Sequence, residues 1–358
     1  MYLDTFGLKE QPFQITPDSD FLFMSEGHAR AKAYMDYTIR NRDGFVVITG
    51  EVGSGKTTLI RKLLSEFDEH VLVAKIFQTQ LTETEFLQAV LVEFGLDPFR
   101  AQTKVELMDM LTTFLVNSFI QRKQLVLIVD EAQNLTARVL EEIRLLSGLE
   151  TEKHKILHVI LVGQPELNDV LDSPAMEQLL QRVRLRFHLG ALSALETRAY
   201  IAHRLKVAGT SRIDLFTAEA ADLVYQYTGG IPRLINTLCD TALMCAYADD
   251  TDWVSEAVMQ DAITELQWVS FSERVARRTR PETTTGSDRG SDPAVLAALG
   301  DTGVLASRIR NVESLLESIV SLLQRRNRIS VRLGRHQLTQ LARDLGMRDP
   351  KIDSSMNG

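Results

Sequence analysis

Gly50-Glu51-Val52-Gly53-Ser54-Gly55-Lys56-Thr57 has the spacing G-x-x-x-x-G-K-[ST], with Thr58 directly behind it. Glycines at these positions let a backbone turn tightly and bring its N–H groups up to phosphate oxygens. A lysine at the sixth step of such a turn reaches the β- and γ-phosphates as a point charge, and the hydroxyl that follows is a ligand for magnesium. The chemistry these residues could do is the binding of a nucleoside triphosphate, provided a strand leads into the turn and a helix leads out of it.

A second group of residues completes such a site. Leu125-Val126-Leu127-Ile128-Val129 is an unbroken apolar run that ends in Asp130 and Glu131. The run reads as a strand buried on both faces of a parallel sheet, and ligands of open parallel sheets gather at the carboxyl ends of their strands. Asp130 is expected to hold magnesium through its water shell, and Glu131 to orient and polarise an attacking water.

The elements that must position these groups follow from hydrophobic patterning. Strands are predicted at Phe45–Thr49, Val71–Phe77, Leu125–Val129, Ile156–Val162 and Leu185–Leu189. Helical patterns fall between them at Thr58–Phe67, Thr84–Phe94, Val105–Gln121, Arg138–Ser147 and Pro174–Leu180. This alternation predicts an α/β P-loop core with a parallel sheet over residues 1–190. From Ala194 the strand signal stops, and Glu196–Val207, Ala218–Tyr227, Pro232–Tyr247 and Val254–Gln267 predict an all-helical lid over 191–271. Residues 272–293 lack apolar periodicity and read as a flexible linker, followed at 294–358 by a basic helical tail.

Composition sets bounds on the whole. The 358 residues exceed the usual size of one domain, and 44% apolar with 25% charged residues suits a globular chain. No apolar run approaches the roughly 18 residues a membrane span requires. The opening Met1-Tyr2-Leu3-Asp4 lacks the regions of a signal peptide, so a cytoplasmic location is expected. Cys239 and Cys245 fall on different faces of a helical pattern and are expected to be reduced core thiols. Charge is uneven: residues 1–271 carry 25 Lys+Arg against 38 Asp+Glu, whereas 272–358 carry 15 against 10.

The phosphate loop, Asp130-Glu131-Ala132-Gln133, Leu161-Val162-Gly163-Gln164-Pro165-Glu166-Leu167, the arginine row at 182–186 and Gly229-Gly230-Ile231-Pro232-Arg233-Leu234-Ile235-Asn236 occur in that order. With Met1-Tyr2-Leu3, Phe6-Gly7-Leu8, Pro12-Phe13 and Thr16-Pro17-Asp18, the set resembles AAA+ ATPases of the general secretion pathway protein A type. That group includes relatives in pilus biogenesis and in exosortase-linked exopolysaccharide clusters. The resemblance covers about residues 1–268. It implies ATP over GTP, magnesium, hydrolysis of ATP, and a homo-oligomer whose active site lies between subunits.

Residue by residue, the resemblance makes Gln164 the polar sensor of the γ-phosphate, the rival reading being a turn residue before Pro165. Arg182, Arg184 and Arg186 alternate, so an extended segment would turn all three to one face. Arg182 is the expected arginine finger for a neighbouring subunit, Arg184 the next candidate, and surface salt bridges the alternative. Arg233 falls in the first turn of a helix started by Pro232, where a cation opposes the helix dipole and a phosphate partner would explain it. The resemblance makes it the second sensor. Phe6, Pro12 and Phe13 are expected near adenine or in plain packing.

In the tail, Leu305, Ile309, Val312, Leu316, Ile319 and Leu323 have the steps of a short coiled-coil seam or of a helix docking on the body. Arg325, Arg326, Arg328, Arg332 and Arg335 follow, a cluster suited to DNA, an acidic membrane surface, an acidic partner or solvent. Here the chain departs from secretion-type relatives, which carry a membrane span and a peptidoglycan-binding region after the ATPase. The expected function is assembly of an envelope secretion, pilus or polysaccharide-export machine, at or near the inner membrane. The alternatives are a DNA-binding regulator of the transposition or replication-initiator type, and a slow nucleotide switch.

Overall fold

The computed structural model describes residues 2–40, 44–77, 79–101, 103–151, 154–212 and 214–279. The seam at 305–323 and the arginine cluster at 325–335 lie outside the described residues.

All five predicted strands form, each within one residue of its expected ends. They are β1 (Phe45–Gly50), β2 (Val71–Ile76), β3 (Gln124–Val129), β4 (Leu157–Gly163) and β5 (Leu185–Leu189). Every pairing is parallel, in the order β2-β3-β4-β1-β5. Because side chains alternate across a strand, each central strand serves two cores. Phe45, Val47, Leu125, Leu127, Val129, Leu157, Val159 and Leu161 face one side, and Val46, Ile48, Val126, Ile128, Ile160 and Val162 the other.

A short helix α1 (Tyr2–Thr5) packs against the lid described below, and the helices of the α/β body are α2 (Glu26–Arg40), α3 (Lys56–Ser65), α4 (Glu83–Glu93), α5 (Lys104–Ile120), α6 (Ala137–Ser147), α7 (Glu166–Leu171) and α8 (Glu177–Leu180). α2 and α3 cover one face, and α4 to α8 cover the other. Thr82 with Glu85 and Thr103 with Glu106 form capping boxes that start α4 and α5. The lid consists of α9 (Ala194–Val207), α10 (Ala218–Thr228), α11 (Pro232–Ala248) and α12 (Glu256–Glu265), followed by α13 (Phe271–Thr279).

Three expectations need correction. The amino-terminal residues do not belong to the sheet core: Phe6, Leu8, Phe13 and Phe21 are buried with Leu192, Leu205, Phe216 and Leu238 in the lid. Phe6 and Phe13 are almost wholly inaccessible, and hiding each contributes about 1.5–3 kcal/mol. The predicted linker begins too early, because 272–279 continue a helix opened by Phe271. Its Arg274 stacks over Trp268 at 4.7 Å and donates to the carbonyl of Tyr227. Only Cys239 is a core thiol; Cys245 is half-buried with its Sγ 3.7 Å from Glu265, and burial and that carboxylate raise it to about 11.

Candidate functional site

The turn after β1 is followed at once by α3, whose positive end points back into the loop. Gly53 and Gly55 adopt φ +82° and +97°, a region that disfavours any side chain. Lys56 Nζ donates to the carbonyls of Gly50 at 2.7 Å and Glu51 at 2.9 Å. Burial lowers the proton affinity of this ammonium, and the carboxylates of Glu131 and Asp130 oppose that shift.

β4 lies between β1 and β3, so the two motifs are not on adjacent strands. They meet through the first turn of α3, where Thr57 reaches the residue that follows β3. Thr57 Oγ1 donates to Asp130 Oδ2 at 2.8 Å, and the N–H of Glu131 donates to Asp130 Oδ1 at 2.9 Å. Asp130 is nearly inaccessible, and burial raises its carboxyl despite those two donors.

Glu131 stands at φ +51°, an uncommon setting for a residue with a side chain, before a 3₁₀ turn at Ala132–Asn134. Two amides converge on its Oε2: Gln133 Nε2 at 2.7 Å and Gln164 Nε2 at 3.1 Å. Gln164 sits at the tip of β4, its own N–H held by Gln133 Oε1 at 2.9 Å. In the sequence Gln133 carries no signal beyond its place after Glu131-Ala132, and its partner set emerges from the fold.

The lid closes the other side. Gly229 and Gly230 turn the chain with φ +60° and +75°, Pro232 starts α11, and the N–H of Arg233 donates to the carbonyl of Gly53 at 3.2 Å. Arg233 is exposed and lines the same cleft as Lys56, Thr57, Thr58 and Glu131. This cleft has a volume of about 460 Å³, in the range of small-molecule sites.

Phe6, Pro12 and Phe13 do not line it; Gln14–Asp18 and Phe21–Phe23 do. Arg204 pins that wall to the lid, donating through Nε to the Pro12 carbonyl at 2.5 Å and through Nη2 to the Gln14 carbonyl at 3.3 Å. Its guanidinium lies over the Phe21 ring at 4.6 Å. Tyr200 donates to Asn236 at 2.7 Å and Asn236 donates to the Gln14 carbonyl at 3.0 Å, closing the network.

His28, from α2, supports the loop from beneath. Its Nε2 lies 3.1 Å from the Ser54 carbonyl and its Nδ1 2.7 Å from Ser25 Oγ. A carbonyl can only accept, so Nε2 carries the proton and Nδ1 accepts from the serine. Neither His28 nor Arg204 stood out in sequence, where each is one polar residue in a polar stretch.

The arginine row is not brought together as expected. Arg182 precedes β5, and its guanidinium is anchored on the carbonyl of Arg144 and on Ser147 Oγ at 3.1 Å. Arg184 and Arg186 are exposed, and Arg186 pairs with Asp172 at 2.8 Å. None of the three lines the cleft of its own chain.

The donor set fits a phosphate chain with a hard cation. Glycine N–H groups, Lys56 and Arg233 suit phosphate oxygens, and Thr57 with Asp130 supplies the few protein oxygens that magnesium takes. Among the described residues no cluster of three His, Cys, Asp or Glu forms a site of another kind.

A family model for an AAA domain matches residues 39–171. The chain is similar to General secretion pathway protein A of Aeromonas hydrophila, 43% identical over 249 residues, which are 69% of this chain and 45% of that protein. It therefore spans about half the length of the curated relative it matches. Among solved structures, it resembles Aeropyrum pernix ORC2 in its ADPNP–ADP complexes, with TM-score 0.54, 18% identity, and 76% and 75% of the two chains covered. Cdc6p from Pyrobaculum aerophilum gives 0.54 at 16% over 74% and 70%, and a variant of Thermotoga maritima RuvB gives 0.51 at 16% over 78% and 83%. At such identities the likeness is one of fold, and the fold is a parallel P-loop sheet with a helical lid. Among the described residues no helix is long and apolar enough to cross a membrane. With its phosphate loop, acidic strand end and lid arginine on one cleft, the chain belongs to the AAA-domain proteins and is a relative of General secretion pathway protein A.

Proposed function

We propose that this chain binds ATP with magnesium and hydrolyses it at a site completed by a neighbouring subunit. Nucleotide-dependent oligomerisation would then drive or gate assembly of an envelope secretion, pilus or polysaccharide-export machine. The observation that carries the reading is the meeting of Lys56, Thr57, Glu131 and Arg233 on one cleft, with Asp130 bonded to Thr57 and Gln164 to Glu131 behind it.

In this reading the loop N–H groups and Lys56 hold the phosphates, and Thr57 and Asp130 hold magnesium, which neutralises charge on the β- and γ-oxygens when bound. Glu131 orients a water and takes its proton as the water oxygen bonds to the γ-phosphorus. The bond to the β–γ bridging oxygen breaks, and ADP and phosphate leave. Gln164 and Arg233 contact the γ-phosphate from the sheet and the lid. Arg182 acts as finger in the next subunit, for which its guanidinium has to leave the Arg144 carbonyl and Ser147 hydroxyl that hold it in its own chain.

The secretion role rests on the similarity over the ATPase region. The chain would work in the cytoplasm, bound peripherally at the inner membrane through its partner or its basic tail. The excess of Lys+Arg over residues 272–358 favours one second reading, an ATPase that acts on DNA. Duplex binding that falls steeply with salt would select it.

The test is the mass of a Glu131→Gln protein by light scattering, with ADP and then with ATP-magnesium. Growth of the particle only with ATP supports a site shared between subunits, and a mass unchanged by ATP overturns it. Arg182→Ala should then spare ATP binding and abolish most hydrolysis; full activity would move the finger to Arg184 or place the site within one chain.

A further inference from the structure

Among the described residues, Gln133 is the side chain that touches both the carboxylate of Glu131 and the backbone of the sensor loop. Its Nε2 donates to Glu131 Oε2 at 2.7 Å while its Oε1 accepts the backbone N–H of Gln164 at 2.9 Å. The 3₁₀ turn at Ala132–Asn134 is what sends this side chain back toward Glu131. The approach to the β4 tip is close enough that a Cβ at Gly163 would stand 2.8 Å from Gln133 Oε1. Any residue other than glycine at 163 would push the carboxamide off the loop.

The consequence for Glu131 is directional. Its backbone is held at φ +51°, so the side chain leaves the strand end in a setting that costs free energy unless its surroundings fix it. Both amide donors bind one oxygen, Oε2, and Oε1 has no protein hydrogen bond among the described residues. One carboxylate oxygen is thus clamped and the other is left to accept from water. Gln164 touches the clamp twice, directly through Nε2 and indirectly through its N–H on Gln133.

We infer that Gln133 is a positioning residue for hydrolysis. Its carboxamide locks Glu131 with Oε1 toward the cleft and makes that orientation depend on where the Gln164 loop stands. A shift of β4's tip on contact with the γ-phosphate is then transmitted to the general base through one amide plane. The inference rests on the proposed ATP hydrolysis and adds to it a route by which the sensor sets the base. An amide serves because it donates to the carboxylate with one end and accepts from the backbone with the other, which neither a carboxylate nor an aliphatic chain does.

The experiment compares the parent with Gln133→Met, which keeps the length and packing of the side chain and removes both hydrogen bonds, and with Gln133→Glu, which keeps an acceptor for Gln164 and sets a like charge against Glu131. Steady-state ATP hydrolysis and affinity for a fluorescent ATP analogue are measured on the full chain. Both variants should lose about ten- to hundredfold in kcat, the scale of a misplaced catalytic group, with KM for ATP within about twofold. Gln164→Ala should cost less in the Gln133→Met background than in the parent, because the two act through one clamp. A variant that only disturbed folding would instead lose ATP-analogue affinity and thermal stability together, which counts against the positioning role. Parent-like kcat in Gln133→Met, or full additivity with Gln164→Ala, overturns the role of Gln133 while leaving ATP hydrolysis standing. A parent that binds ATP without turning it over overturns both.

Discussion

The N–H of Arg233 donates to the carbonyl of Gly53 at 3.2 Å, so the first turn of α11 rests on the phosphate loop itself. At Gly53 a Cβ would stand 2.5 Å from the Cβ of Arg233, an atom that cannot rotate away, and the local φ is +82°. Lid and loop can meet this closely only over a glycine. Gly53→Ala should therefore cost about 1–3 kcal/mol in strain and separation of the lid, and weaken ATP binding. Thermal unfolding and an ATP-analogue titration check it, and parent-like affinity would show that the contact is dispensable.

Lys56 is buried against two loop carbonyls, and burial disfavours its charge. Lys56→Met should leave the melting temperature of the nucleotide-free protein within the shift produced by about 1 kcal/mol. It should erase the stabilisation by ATP-magnesium, which in the parent reaches about 2.7 kcal/mol at a hundred times Kd. Differential scanning calorimetry with and without nucleotide reads both.

Among the described residues no carboxylate pairs with the buried Arg204, whose charge is met by carbonyls, the Tyr200 hydroxyl and aromatic rings. Arg204→Met keeps the stem and strips the Pro12 carbonyl of its donor, at a cost of about 1–3 kcal/mol. The urea midpoint should fall, and protease should cut the chain near residues 12–21 sooner than in the parent. An unchanged midpoint would mean that apolar packing alone holds this arm.

His28 makes stability depend on pH. Burial lowers its proton affinity below the ordinary value of 6.5, with the Ser54 carbonyl and Glu196 opposing weakly. As pH falls through 6.5, the unfolded chain takes up a proton at this site and the native chain does not, so stability decreases until the lower native value is reached. His203 is shifted in the same direction by burial and by Arg204 and adds to the slope. Melting temperatures between about pH 7 and 5 should fall less steeply for His28→Gln than for the parent. Equal slopes would assign the effect to His203 or to carboxylates.

Much of the site was legible before the fold was known. The phosphate loop and the acid pair are local signals, because each needs only a strand, a turn and a fixed spacing; β1 to β4 read as largely apolar runs and β5 as an alternating one. α2 was passed over. Its buried face is His28, Ala31, Met35, Thr38 and Ile39, which has helical spacing but too little apolar character to show periodicity. α13 is hidden for a related reason: its anchor, Phe271, falls just before a polar stretch that has no apolar periodicity.

The amino-acid sequence alone determined the phosphate-loop and acid-pair motifs and which residues form strands, since spacing and hydrophobicity act over a few residues. Tertiary structure alone decided strand order, which sets β4, with Gln164 at its tip, between the strands that lead to Lys56 and Glu131. It also decided that Phe6 and Phe13 serve the lid, that Arg182 leans on α6 rather than standing in a row, and that Gln133 clamps Glu131. These are contacts between residues far apart in the chain or bent together by one turn. Their free energy comes from burial and hydrogen bonds that exist only once the sheet and lid have assembled.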